Sequence, residues 1–135
     1  MDYSIEEKFV KTFIRKSRQE RLLYELSTPE KRYRGISRFC HQAREFIDPN
    51  KILLQGSNLE NDKDFIKFVE KHDENCLVLS PEFYMDERFM YLKDAVKQAT
   101  VSLDAILIIA DSFAIVFSEP EKGGREKYLL CEKQI

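Results

Sequence analysis

The sequence predicts an α/β domain of mixed α+β type, in which two or three amino-terminal helices pack on a mixed sheet of about five strands ending in an antiparallel three-strand meander. Three observations carry this expectation. Leu103 to Phe117 (LDAILIIADSFAIVF) is apolar at both alternating sets of positions and broken only by Asp111 and Ser112, the pattern of two strands buried on both faces. Residues 4–48 instead show apolar residues every three or four positions, a helical period. After Pro49, short apolar runs alternate with helical patterns, as in strand-helix-strand units.

The first helix is expected to start near Ser4, where Ser4 and Glu7 have capping-box spacing and Ile5, Phe9 and Phe13 recur every four residues. The pattern falters through 15–19, and Ser17 with Glu20 forms a second capping box ahead of Leu22, Leu23, Tyr24 and Leu26. One bent helix and two separate helices both fit residues 4–26; helical dihedrals at Ser17 would discriminate. A further helix follows from Thr28 as N-cap and Pro29 at its first position, with Tyr33, Ile36, Phe39, Cys40, Ala43, Phe46 and Ile47 as its apolar stripe and Asp48 as its end. Gly35 inside it costs about 1 kcal/mol against Ala, which suggests another element packed closely there.

Beyond Pro49, strands are expected at 52–55 and 76–80 and helices at 62–72 and 86–99, the last with Phe89, Leu92, Val96 and Ala99 on one side. Right-handed crossovers would make the first strands parallel neighbours. Strands at 103–109, 113–118 and 127–132, joined by short connections, complete the sheet as an antiparallel meander. The loop Glu119 to Glu126, with Pro120 and Gly123-Gly124, reads as a turn and is too short to separate domains. Residues 1–135 are therefore expected to form one domain, with a helical subregion at 1–48 and a strand-helix-strand region with the meander at 49–135.

Apolar residues make up 43% and charged residues 34% of the 135, enough hydrophobic material to fold. No apolar run is long enough to span a bilayer and the first residues are acidic, so a cytoplasmic protein without membrane contact is expected. Cys40, Cys76 and Cys131 form no Cys-x-x-Cys pair and each lies in an apolar pattern, where a thiol acts as a small hydrophobe.

Charge is unevenly distributed. Eleven cations between Lys8 and Arg44 face only Glu20, Glu25 and Glu30, giving that segment plus 8 within a chain of net charge −2. Lys31, Arg34, Arg38 and Gln42 follow one another at helical-turn spacing and form a polar stripe opposite Ile36, Phe39 and Ala43.

Candidate chemistry is sparse. Adjacent helical residues diverge by about 100 degrees, so Cys40 and His41 make no nucleophile-base dyad, and His41 at the polar border of its helix reads as a partly buried, hydrogen-bonded histidine. Asp104, Asp111, Glu119 and Lys122 lie on or beside strands, where a metal-dependent hydrolase could gather carboxylates, with Asp104 the least explained by turn formation. Gly123-Gly124 lacks the spacing of any phosphate loop, and no cofactor motif is present.

The expected function is that of a non-catalytic, cytoplasmic protein-binding domain, a regulatory or neutralising adaptor. Its basic helical surface (Lys31, Arg34, Arg38, Gln42) would meet a protein partner with an acidic surface. The alternatives are a nucleic-acid-associated protein using the same helices and a hydrolase built on strand-end carboxylates. The isoelectric point of about 5.8 disfavours nonspecific polyanion binding without excluding a local patch.

Overall fold

A computed structural model describes residues 4–82, 86–102, 104–119 and 125–132. Leu103, Lys122 and the expected turn at Pro120 and Gly123-Gly124 lie outside the described residues.

The aromatic-rich start of the chain forms α1 (Ser4–Phe13) and α2 (Lys16–Ser27), so the stretch is two helices. Ser17 lies inside α2 and Arg15, with ψ 139, takes the cap position, so the second capping box is not the restart signal. The interruption is held from outside. Ile14 forms an antiparallel bridge with Ile47, Arg15 N–H donates to Phe46 O at 2.7 Å and Asp48 N–H to Phe13 O at 2.8 Å. Backbone groups released by breaking the helix are thus satisfied elsewhere.

The helix expected to reach Asp48 is divided into α3 (Pro29–His41) and α4 (Ala43–Phe46), with Gln42 leaving helical dihedrals at φ −116, ψ 36. Thr28 is the N-cap and Pro29 opens α3 as expected. A Cβ at Gly35 would meet Glu25 Cβ at 2.8 Å, so the glycine marks close packing of α2 on α3. Tyr33, expected on the apolar stripe, is 60% exposed, and Arg32 is buried.

The sheet contains β1 (Ile52–Gly56), β2 (Asn75–Leu79), β3 (Arg88–Tyr91), β4 (Ile106–Ile109), β5 (Phe113–Phe117) and β6 (Lys127–Cys131). Helix α5 (Lys63–Lys71), capped by Asp62, which accepts from Asp64 and Phe65 N–H, joins β1 to β2, and α6 (Leu92–Val101) joins β3 to β4. The strand order is β1-β6-β5-β4-β2-β3 and every neighbouring pair is antiparallel, so the sheet has six strands and is not mixed.

Two expectations are corrected here. β1 and β2 run in the same direction but are separated by the whole meander, which inserts between them and supplies antiparallel partners. The helix expected over 86–99 starts only at Leu92, because Glu87 has a left-handed φ of 61 and Arg88–Tyr91 pairs with β2. The meander and the central place of β4 and β5 follow the sequence expectation.

Alternate residues of the central strands enter two cores. Leu77, Leu79, Leu107, Ile109, Val116 and Leu130 meet Phe9, Phe13, Leu22, Ile36, Phe39 and Phe46 of the amino-terminal helices. Cys76, Val78, Ile106, Ile108, Ile115 and Leu129 meet Phe65 and Val69 of α5 and Leu92, Ala95 and Ala99 of α6. The molecule is α+β in three layers, and a sheet covered on both sides needs apolar residues at successive positions. On the first side, Phe9–Phe13, Phe9–Phe39 and Phe39–Phe46 lie 5.7, 5.8 and 5.7 Å apart between centroids. Each such pair adds about 0.5–1.5 kcal/mol beyond its buried area.

Candidate functional site

The cations of 8–44 divide by where the helical period places them. Arg32 projects inward from α3 and joins three parts of the chain. Its Nη1 and Nη2 donate to Glu6 of α1 at 3.0 and 2.8 Å, its Nε and Nη2 to Asp86 before β3 at 2.6 and 3.0 Å, and its Nη1 to Leu26 O at 3.0 Å. Glu87 stands 3.8 Å away. Burial works against the guanidinium charge, yet the bonds to Asp86 and Glu6 outweigh it and hold the pKa of Arg32 above its ordinary value. Burial raises the pKa of the Glu6 carboxyl despite the bond and charge of Arg32.

Arg38 turns toward α2 and pairs with Glu25 through two bonds of 2.9 and 2.8 Å, its side chain 28% exposed and that of Glu25 only 7%. Others of the cationic set are also engaged: Lys8 with Asp111 at 2.9 Å, Lys11 with Glu7 at 2.7 Å, Arg15 with the carbonyls of Ile47 and Arg44, and Arg18 over the Phe46 ring at 5.2 Å. Lys16, Lys31 and Arg34 are exposed and their side chains have no hydrogen bond or ion pair among the described residues.

Of the four residues singled out from the sequence, Lys31, Arg34 and Gln42 are solvent-exposed and Arg38 is partly buried in its bond to Glu25. Sequence reasoning set Tyr24 of α2 and Tyr33 of α3 in apolar patterns, yet both are exposed, by 54% and 60%. Tyr33 stands between Lys31 and Arg34 along the helix, whereas Tyr24 lines a cavity with Glu6 and Glu7 of α1; Tyr and Arg are enriched at the energetic centres of protein interfaces.

The residues weighed for catalysis are distributed otherwise. Antiparallel pairing of β4 with β5 carries Asp104 and Glu119 to one end of the sheet and Asp111 to the opposite end, beside Lys8. Asp104 closes a local turn, its N–H donating to Ser102 Oγ at 3.0 Å, and the backbone oxygen of Asp104 accepts from Arg125. Arg125 is 9% exposed and also donates to the carbonyls of Ser118, Ala99 and Ser102 at 2.6, 2.6 and 2.8 Å. Burial lowers its pKa. Among the described residues no group of three or more His, Cys, Asp or Glu side chains is placed to hold a metal ion.

Cys40 is fully buried and burial pushes its thiol pKa up to about 12; Cys76 rises to about 12 and Cys131 rises too, each chiefly through burial. All three are unpaired thiols, as expected of small hydrophobes. His41 is exposed, not partly buried, because the helix ends there and the chain turns at Gln42. It lines a cavity of about 250 Å³ with Arg44, Glu119, Glu126 and Tyr128. His72 caps α5 with its ring stacked on Phe68 at 4.1 Å and its Nδ1 3.1 Å from Phe68 O.

No protein-family model, curated protein or solved structure matches the chain. No helix among the described residues is long and apolar enough to cross a membrane. What fold and surface define is an α+β domain with a cationic helix pair on one side of an antiparallel sheet.

Proposed function

We propose that the chain is a non-catalytic protein-binding domain, a regulatory or neutralising adaptor working in the cytoplasm, whose α2–α3 helix pair receives a partner with an acidic surface. One observation carries this reading: Lys31 and Arg34 stand unpaired in solvent on either side of the exposed Tyr33, on the helix whose Arg32 and Arg38 are held by internal carboxylates. Unpaired cations steer a negatively charged partner, and a rigid amphipathic ring such as Tyr33 supplies contact area once it arrives. Three unpaired thiols support a reducing compartment. Gln42, at the turn between α3 and α4, extends the polar surface.

A second reading, nucleic-acid binding, draws on the same exposed Tyr33, because bases stack on exposed rings between cations. One experiment separates them. Native lysate is passed over the immobilised protein at low and moderate salt, with Lys31→Glu/Arg34→Glu as the control and a nuclease-treated arm beside it. The protein-binding reading expects an acidic protein lost in the double variant and retained after nuclease. Equal capture by both proteins removes the surface from consideration. For nucleic acid, retention on a phosphate-rich matrix should fall by orders of magnitude between about 50 and 200 mM salt.

A further inference from the structure

We infer that β3 is a self-association edge, through which two copies of the chain join antiparallel about a two-fold axis at Met90 and merge their sheets. β3 is the last strand in the sheet order and pairs only with β2 among the described residues. The bond from Leu92 N–H to Glu74 O, 2.9 Å, fixes the phase of that ladder. Arg88, Met90 and Leu92 direct their main-chain groups at β2, so Phe89 and Tyr91 direct theirs outward. The same two residues share one face and leave their rings 57% and 59% exposed.

The opposite edge is protected in the ways that discourage pairing. β1 follows Pro49, has a register irregularity between Ile52 and Leu54, and ends at Gly56 with φ 152. β3 has no proline, glycine or register irregularity within 88–91, and its protection is limited to its four-residue length and the charge of Arg88.

The register follows from requiring outward-directed residues to face one another. Phe89 opposite Phe89 would place Tyr91 against Glu87, whose φ of 61 is not extended. Tyr91 opposite Tyr91 would place Phe89 against Lys93, which is inside α6. Phe89 opposite Tyr91 sets outward-directed residues of the strand against each other and, by symmetry, does so twice, giving two aromatic cross-strand pairs on one face. Arg88, exposed and without an ion pair among the described residues, then faces Leu92 of the second copy at the start of its α6. Exposed Asp94 lies in that first turn, and Asp73 accepts from Lys93 N–H at 3.0 Å, so carboxylates outnumber Lys93 where Arg88 arrives. The surface is thus complementary to itself in hydrogen bonds, rings and charge.

A joint of one short strand per copy falls in the small, transient class of interface, so sedimentation equilibrium of the full chain from about 10 µM to about 1 mM is the measurement. A reversible monomer–dimer equilibrium is expected. Phe89→Pro removes an N–H that β2 does not use and should leave the chain folded by circular dichroism but monomeric throughout. Arg88→Glu should weaken the dimer about tenfold, because each charge contact occurs twice, and adding Asp94→Arg should restore it. If Phe89→Pro fails to fold, the charge exchange decides. A chain monomeric at every concentration, a folded Phe89→Pro that still dimerises, or a double exchange that restores nothing would overturn the inference.

Discussion

Arg32 and Arg34 lie two residues apart on α3 and meet opposite fates: one is enclosed by Glu6 and Asp86, the other stands in solvent without an ion partner. The inner side of the helix, with Arg32, Gly35 and Arg38, uses positive charge and missing side-chain volume to hold α1, α2 and the β3 approach together. The outer side, with Lys31, Tyr33 and Arg34, contributes nothing to that assembly. Net charge along a segment therefore overstates what reaches the surface, since the helical period and distant acids decide how much is neutralised within the molecule.

Substitutions on the two sides test the division. Arg32→Ala strands the buried Glu6 and the partly buried Asp86 and should cost about 3–5 kcal/mol of stability in urea denaturation. A loss below 1 kcal/mol would show that the junction is not structural. Gly35→Ala gains helix propensity of up to about 1 kcal/mol but drives a methyl group into Glu25 Cβ. Overpacking against such a rigid atom costs about 1–3 kcal/mol, so net destabilisation is expected.

Acidity should register on the inner side, at Glu6. Because the Glu6 pKa is raised in the folded chain, its contribution is fully present below the ordinary value of 4.5 and declines as pH rises through the folded value. Glu6→Gln should therefore gain on the wild type as pH climbs above 4.5, and parallel stability curves from acid to neutral pH would refute the burial effect. The smallest effect belongs to the outer side. Lys31→Glu/Arg34→Glu should leave unfolding free energy within about 0.5 kcal/mol while partner capture is lost.

The sequence was readable where local pattern and tertiary environment agree. Leu103 to Phe117 marked the sheet centre, the helical pattern over 62–72 marked α5, and Pro29 marked α3. It misled where two periods coincide: Phe89, Leu92, Val96 and Ala99 fit a helix, but residues 88–91 fit a strand as well, and pairing with Cys76 and Leu77 decided the matter. Neighbour choice was equally hidden, since a crossover fixes the relative direction of β1 and β2 but not what inserts between them. Arg32 escaped notice because its carboxylate partners lie 26 and 54 residues away. One local signal was present: Arg32, Ile36, Phe39 and Ala43 share a helical stripe, which puts Arg32 inward and Tyr33 outward.

Arg125 has a consequence for motion. Its guanidinium gathers oxygens from the last turn of α6, the approach to β4 and the end of β5, and no carboxylate is among those acceptors. Fraying of any of these segments would expose a cation with its acceptors withdrawn, so they should open as one cooperative unit. Amide exchange at the α6 terminus and the β5 terminus should then slow and quicken in step, and Arg125→Met should uncouple them.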